Sequence, residues 1–192
     1  MERLGDRAFR FARPYAAPAR ILEAVRAWPG VRDVVIAVHD VAVYCDAPPG
    51  DFTAQIAELA TLEIDPVGGR DVILRVVYDG EDLAAVATAT RLSVAEVIEL
   101  HVAATYAVGS IGFQPGFAYL DGLDPRLELA RRETPRPRVP AGALAIAGMQ
   151  TAVYPFASPG GWHLIGRVVD GPMFTPEHGA RLRFGDRVRF VR

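Results

Sequence analysis

Four arginines, Arg131, Arg132, Arg136 and Arg138, crowd into one short run around Thr134-Pro135 and Pro137. A guanidinium is permanently charged and can hold a carboxylate or phosphate through two parallel hydrogen bonds. Pro135, Pro137 and Pro140 restrict the backbone that presents them. Arg136 first and Arg132 second are therefore candidate anion ligands; the alternative is a solvated loop with surface ion pairs. Gln150, Thr151 and Tyr154 follow a turn at Gly148. An amide, a hydroxyl and a phenol suit recognition of an amide or lactam ring, although a hydrogen-bonded strand end would use the same residues. Phe113, Phe117, Tyr119 and Trp162 would wall a pocket or pack a core. His101 reads either as a helix C-terminal cap or as a general acid/base facing that pocket. His163 falls in a predicted strand, and His39 and His178 in turns. No two histidines stand at metal-ligand spacing, so no metal site is expected. Asp79-Gly80-Glu81-Asp82 reads as the solvated N-terminal face of a helix. Ser158-Pro159-Gly160-Gly161 lacks the G-x-S-x-G pattern of a hydrolase nucleophile.

Composition narrows the chemistry further. The chain has 192 residues and no lysine, so every basic side chain is arginine. A P-loop lysine, a Schiff-base lysine and a biotinylated lysine are all excluded on this chain. Cys45 is the single cysteine, so neither an intrachain disulfide nor a multi-cysteine zinc site can form. That favours a reducing compartment. The formal charge of −2 gives no global attraction to nucleic acid or an anionic membrane. No apolar run reaches membrane-spanning length and no secretory h-region is visible, so a cytoplasmic protein is expected.

The elements that must position these residues fall into two groups. Ala8 to Ala12 reads as a strand, and Ala19 to Trp28 as an amphipathic helix stopped by Pro29-Gly30. Val31 to Val38 and Val41 to Cys45 read as strands, and Phe52 to Leu62 as a helix. This order predicts a ferredoxin-like N-terminal unit over 1–68 whose final strand is undefined. Pro66 to Gly69 is the expected linker. Beyond it, Val72 to Tyr78 reads as a strand and Asp82 to Thr90 as a helix. Ser93-Val94-Ala95-Glu96 is a capping box opening a second helix, with Leu92 as the apolar residue before the cap. From Tyr106 onward short β-prone runs alternate with turns, which predicts a β-barrel or sandwich over 69–192. The fold class is therefore α+β.

The blocks GFQPGFAYLDGLDPRL, RRETPRPRVPAG, IAGMQTAVYP and SPGGWHLIG resemble, in order, those of the KipI family. That family includes the B subunit of 5-oxoprolinase, allophanate hydrolase subunit 1 and the matching half of the urea carboxylase carboxyltransferase region. A weaker likeness extends from about Val72 to Phe190. The resemblance implies a cyclophilin-like barrel and ATP-dependent opening of 5-oxoproline to glutamate. The implied complex pairs this chain with a LamB/YcsF-type A subunit and a carboxyltransferase-like C subunit. ATP would then be bound at a site shared with a partner, since no ATP-binding motif is visible here. On this resemblance Arg136 would hold an anionic group, with Arg132 beside it. Gln150 and Thr151 would orient the amide, Tyr154 and Trp162 would contact substrate, and His101 would move a proton. The same family admits a second role, inhibition of a sensor histidine kinase without chemistry, and a third, in a urea- or allophanate-degrading complex. Against the family pattern, Ala107 and Ala143 replace an arginine and a serine, and Asp79, Asp121 and Met149 replace glycines.

Overall fold

A computed structural model describes residues 1–62 and 69–192, which form two compact units, Met1–Gly69 and Arg70–Arg192. The linker expected at Pro66 to Gly69 lies outside the described residues, apart from Gly69.

The first unit runs β1 (Glu2–Arg3), β2 (Ala8–Ala12), α1 (Pro18–Arg26), β3 (Val31–Ile36), β4 (Asp40–Cys45) and α2 (Thr53–Leu59). Its strands form one antiparallel sheet in the order β1-β2-β4-β3. Alternation decides which face is covered: Phe9 and Phe11 of β2 and Val41 and Val43 of β4 are buried, and Ile21 and Val25 of α1 supply buried apolar groups at helical spacing. Phe52 stacks on Phe9 at 5.2 Å and on Trp28 at 5.3 Å. The chain turns out of α1 at Gly30, whose φ of 73° suits a residue without a Cβ. No strand beyond α2 joins this sheet among the described residues. The edge beside β2 is taken instead by the two residues of β1.

The second unit runs β5 (Asp71–Val77), α3 (Leu83–Thr90), α4 (Val94–Ala103), β6 (Tyr106–Ile111), β7 (Ala118–Asp121), a single 3-10 turn (Pro125–Leu127), β8 (Arg136–Val139), β9 (Ala143–Ala147), β10 (Gln150–Val153), β11 (Ser158–Gly160), β12 (His163–Val168), β13 (Phe174–Thr175), β14 (Gly179–Ala180) and β15 (Arg187–Val191). Seven of these strands close a barrel in the order β10-β7-β6-β15-β5-β12-β9. The barrel explains why β9 reads as an unbroken apolar run. Leu144 and Ile146 join the main core, whereas Ala143, Ala145 and Ala147 lie under Phe117, Tyr154 and Trp162 in a second cluster. A strand buried on both faces has no polar alternation to show. The ends of β5 and β15 are tied by Asp186, which accepts hydrogen bonds from the Arg70 amide, the Arg70 guanidinium and the Arg183 amide.

Helices α3 and α4 pack against the main core through Leu83, Val86 and Val97. The expected capping box forms: the Glu96 amide donates to Ser93 Oγ at 3.2 Å and the Ser93 amide to Glu96 Oε2 at 2.7 Å. Leu92, just before the cap, packs on the same core. Where the chain enters α3, Gly80 lies against the β12 backbone so closely that a Cβ would overlap Leu164 and Ile165, and Gly166 is equally close to Val77.

The arginine run is partly strand, not only loop. Arg136–Val139 pairs with Ser158–Gly160 in a two-stranded ribbon outside the barrel. Proline lacks the amide a central strand needs, and a short separate ribbon tolerates it.

Candidate functional site

The structure distributes the candidate residues over three places. The first is the barrel interior. His101, near the end of α4, is fully buried between the rings of Tyr106 and Phe190. The Thr151 hydroxyl donates to the Ala145 carbonyl at 3.0 Å, so at His101 it accepts, and His101 Nε2–H is the donor across 3.0 Å. His101 Nδ1 is then the acceptor for the Tyr78 hydroxyl at 2.7 Å. Both ring nitrogens are satisfied with the imidazole neutral. Burial lowers its pKa to about 3, because no countercharge offsets the lost hydration of the imidazolium. Burial likewise raises the Tyr78 phenol out of the physiological range. His101 therefore neither caps α4 nor presents an exposed acid/base. Its own carbonyl is capped by the Tyr106 hydroxyl at 2.8 Å. Thr151 is equally inaccessible.

The second place lies beside the β8–β11 ribbon. Arg136 donates to Asp82 Oδ1 at 2.6 Å and to Glu81 Oε1 at 2.6 Å. Arg132 donates to the same Asp82 oxygen at 3.0 Å. The other Asp82 oxygen accepts the Leu164 amide at 2.7 Å. Asp82 is buried, so the acidic run before α3 is not wholly a solvated helix face: its last member reaches across to anchor two arginines. Burial alone would raise the Asp82 carboxyl, but the Arg136 hydrogen bond, the Leu164 amide and the two positive charges hold it below the usual carboxylate range. Arg136 Nη1 and Arg132 Nε are buried without a hydrogen-bond partner. No local pattern announces this anchor, since Asp82 and Arg136 meet only through long-range folding.

The third place adjoins the second. Phe113, Phe117, Tyr119, Tyr154 and Trp162 form one aromatic cluster with edge-to-face and tilted contacts of 4.9–6.5 Å. Tyr154 and Trp162 are core members rather than exposed walls. The Tyr154 hydroxyl lies against Gly160, where a Cβ would overlap it. The Arg132 amide donates to the Gly161 carbonyl at 2.8 Å, which joins this cluster to the arginines. Two groups reach solvent from it. Arg131 lies over the Trp162 ring at 5.9 Å, and Phe113 is 61% exposed. Phe113 also has a φ of 70°, a left-handed conformation unusual for a bulky side chain. Gln114 in the same loop reaches Ser158 Oγ at 3.5 Å.

Gln150 stands apart. Its amide donates to Asp121 Oδ1 at 2.7 Å on the outer barrel surface. Thus Arg132, Arg136, Tyr154 and Trp162 come together, His101 and Thr151 pair inside the barrel, and Gln150 joins neither group. Among the described residues no group of three or more His, Cys, Asp or Glu could hold a metal ion, and no helix is long and apolar enough to cross a membrane.

Residues 12–181 match the model of the carboxyltransferase domain, subdomain C and D. The chain belongs to this carboxyltransferase family. Among curated proteins, this family member is 44% identical over 147 residues to the 5-oxoprolinase B subunit of Bacillus subtilis, covering 74% of this chain and 60% of that protein. It is 38% identical over 168 residues to the 5-oxoprolinase B subunit of Haemophilus influenzae, covering 83% and 78%. Among solved structures it resembles TTHA0988 at 38% identity with a TM-score of 0.79, covering 96% of this chain but 39% of that one. The Kluyveromyces lactis urea amidolyase matches at 18% identity with a TM-score of 0.68, over 90% of this chain and 13% of that one, a likeness of fold alone. The chain thus spans three fifths of the Bacillus relative and about two fifths of TTHA0988.

Proposed function

We propose that this carboxyltransferase-family chain serves as the B subunit of a 5-oxoprolinase-type complex, which opens 5-oxoproline to L-glutamate at the expense of ATP together with the A and C subunits. The observation that carries the reading is the coincidence of sequence likeness and geometry. Residues from three of the blocks that resemble the family, Phe113 and Phe117, Arg132 and Arg136, and Trp162, meet where the arginines anchored on Asp82 adjoin the aromatic cluster. ATP would supply activation of the unreactive lactam carbonyl. The residues present do not form a triphosphate cradle at this patch: there is no lysine, and Asp82 and Glu81 already occupy much of both guanidiniums. ATP is therefore assigned to a partner in the complex. The role left to this chain is to position substrate or a sister protein with Phe113 and Arg131, the two groups of the patch that reach solvent, while Arg132 and Arg136 brace it from within. His101 and Thr151 act as internal supports. Gln150 remains a candidate polar contact at the rim.

The chain is read as two domains, 1–68 and 69–192, the first ferredoxin-like with β1 in the place of the fourth strand and the second cyclophilin-like. Antiparallel neighbours in the order β1-β2-β4-β3 support the first assignment, and closure of the seven-stranded barrel supports the second.

One observation favours a second reading, a non-catalytic inhibitor of a sensor histidine kinase. The histidine expected to do acid/base work is sealed in the core, and both candidate arginines are internally paired. Capture of native partners on the tagged chain from its own cell extract separates the two. Recovery of the A and C subunits supports the enzyme, and recovery of a histidine kinase without them rejects it.

A further inference from the structure

The first unit carries a charged cleft that the proposed role leaves unused. A cavity of about 430 Å³ opens on it, lined by Leu4, Arg7, Arg32, Asp33, Tyr44 and Cys45 among others. That volume falls within the range of small-ligand sites, roughly 300–1,000 Å³. Each basic residue is delivered by an irregularity in the backbone. Arg7 sits in the connection between β1 and β2, where Gly5 takes a φ of 71°. Arg32 is the extra residue of a β-bulge: Val31 pairs with Cys45 and Asp33 with Tyr44, so no residue of β4 faces it. Bulges redirect a side chain and are enriched beside binding sites. Tyr44 lies between the two, paired with Ala8 on one side and Asp33 on the other, and is 45% exposed.

The charges around the cleft are free to act. Arg132, Arg136, Arg70, Arg75 and Arg187 all have carboxylate partners, whereas the side chains of Arg7 and Arg32 have neither an ion pair nor a hydrogen bond among the described residues. The acid in the lining, Asp33, uses Oδ1 to accept its neighbour's amide, that of Val34, at 2.8 Å. Two guanidiniums beside a tyrosine ring and the apolar Leu4 and Ala8 match a ligand with an anionic end and a compact apolar body.

We infer that this cleft binds a small organic anion, a phosphate monoester or a carboxylate, with its charged end between Arg7 and Arg32 and its apolar body against Tyr44. The cleft belongs to the first unit and the patch assigned to the complex to the second, so its fate is independent of the proposed function. The test uses the full chain, with phenyl phosphate, benzoate and inorganic phosphate as probes followed by NMR chemical-shift titration. Phenyl phosphate should bind saturably with a Kd below ~1 mM, with shifts centred on residues 4–8, 32–33 and 44–45. Arg7→Ala and Arg32→Ala should each weaken it about tenfold. Both side chains are exposed and unpaired, so neither change threatens the fold. Tyr44→Ala should weaken phenyl phosphate and benzoate but leave inorganic phosphate unaffected. Benzoate binding alongside phenyl phosphate would identify a general anion site, and its failure would restrict the ligand to phosphates. Absence of saturable shifts from all three probes, or binding that survives the double variant R7A/R32A, overturns the inference.

Discussion

Replacing His101 with glutamine should change how the stability of the barrel depends on pH. The native imidazole is neutral, fully buried and holds its proton on Nε2, with a pKa lowered to about 3 by burial. In the unfolded chain it returns to the ordinary value near 6.5. Between these values the unfolded state binds one more proton than the native state, so stability rises with pH. The stabilisation is complete above pH 6.5 and is lost as pH falls from 6.5 toward 3. One proton corresponds to a slope of about 1.4 kcal/mol per pH unit. Glutamine does not titrate there, so H101Q should remove that slope. H101Q also disturbs the hydrogen bonds to Tyr78 and Thr151, which lowers its stability at every pH. The slope, not the offset, is therefore the diagnostic. Urea unfolding followed by circular dichroism at intervals from pH 4.5 to 6.5 measures it. The carboxylates that also titrate are common to both proteins and cancel in the difference. Equal slopes would show that His101 is hydrated and chargeable in the native protein, which would refute a sealed core histidine and restore it as an acid/base candidate.

Three further outcomes follow from the same contacts. Asp82→Asn removes the buried charge shared by Arg132 and Arg136 and should cost about 2–3 kcal/mol, measured by urea unfolding, because it leaves Arg132 without a counterion and Arg136 with the exposed Glu81 alone. Gly160→Ala would drive a Cβ into the Tyr154 hydroxyl, which is packed in the aromatic cluster and cannot easily move; a loss of about 1–3 kcal/mol and altered near-ultraviolet dichroism are expected. Arg187→Ala breaks only an exposed pair with Asp71 at 2.9 Å and should leave the midpoint of urea unfolding unchanged.

What the sequence reveals depends on whether the signal is local. The capping box at Ser93 and Glu96 is legible because all its atoms lie within one turn, and the apolar run Ala143 to Ala147 marks a strand. The alternation of β2 and β4 likewise announces a sheet with one covered face. By contrast, β8 is hidden because Pro137 masks strand propensity, and its partner β11 is only three residues long. The aromatics Phe117, Tyr119, Tyr154 and Trp162 do gather, yet spacing cannot say that Tyr154 and Trp162 are buried in a core. The role of Asp82 is invisible for the same reason: its partners lie 50 and 54 residues away. His101 stands out at the end of its helix, but a helix-terminal position does not specify which way the ring faces. That direction is set by the barrel, through Thr151 on β10 and Tyr78 just after β5.

The most direct test is turnover by the reconstituted complex: ATP-dependent release of glutamate from 5-oxoproline by the purified A and C subunits, with and without this chain. Glutamate should form only when the chain is present, and Phe113→Ala with Arg131→Ala should reduce the rate while the isolated chain stays folded. Equal turnover without the chain, or none with it, would contradict its assignment as the B subunit.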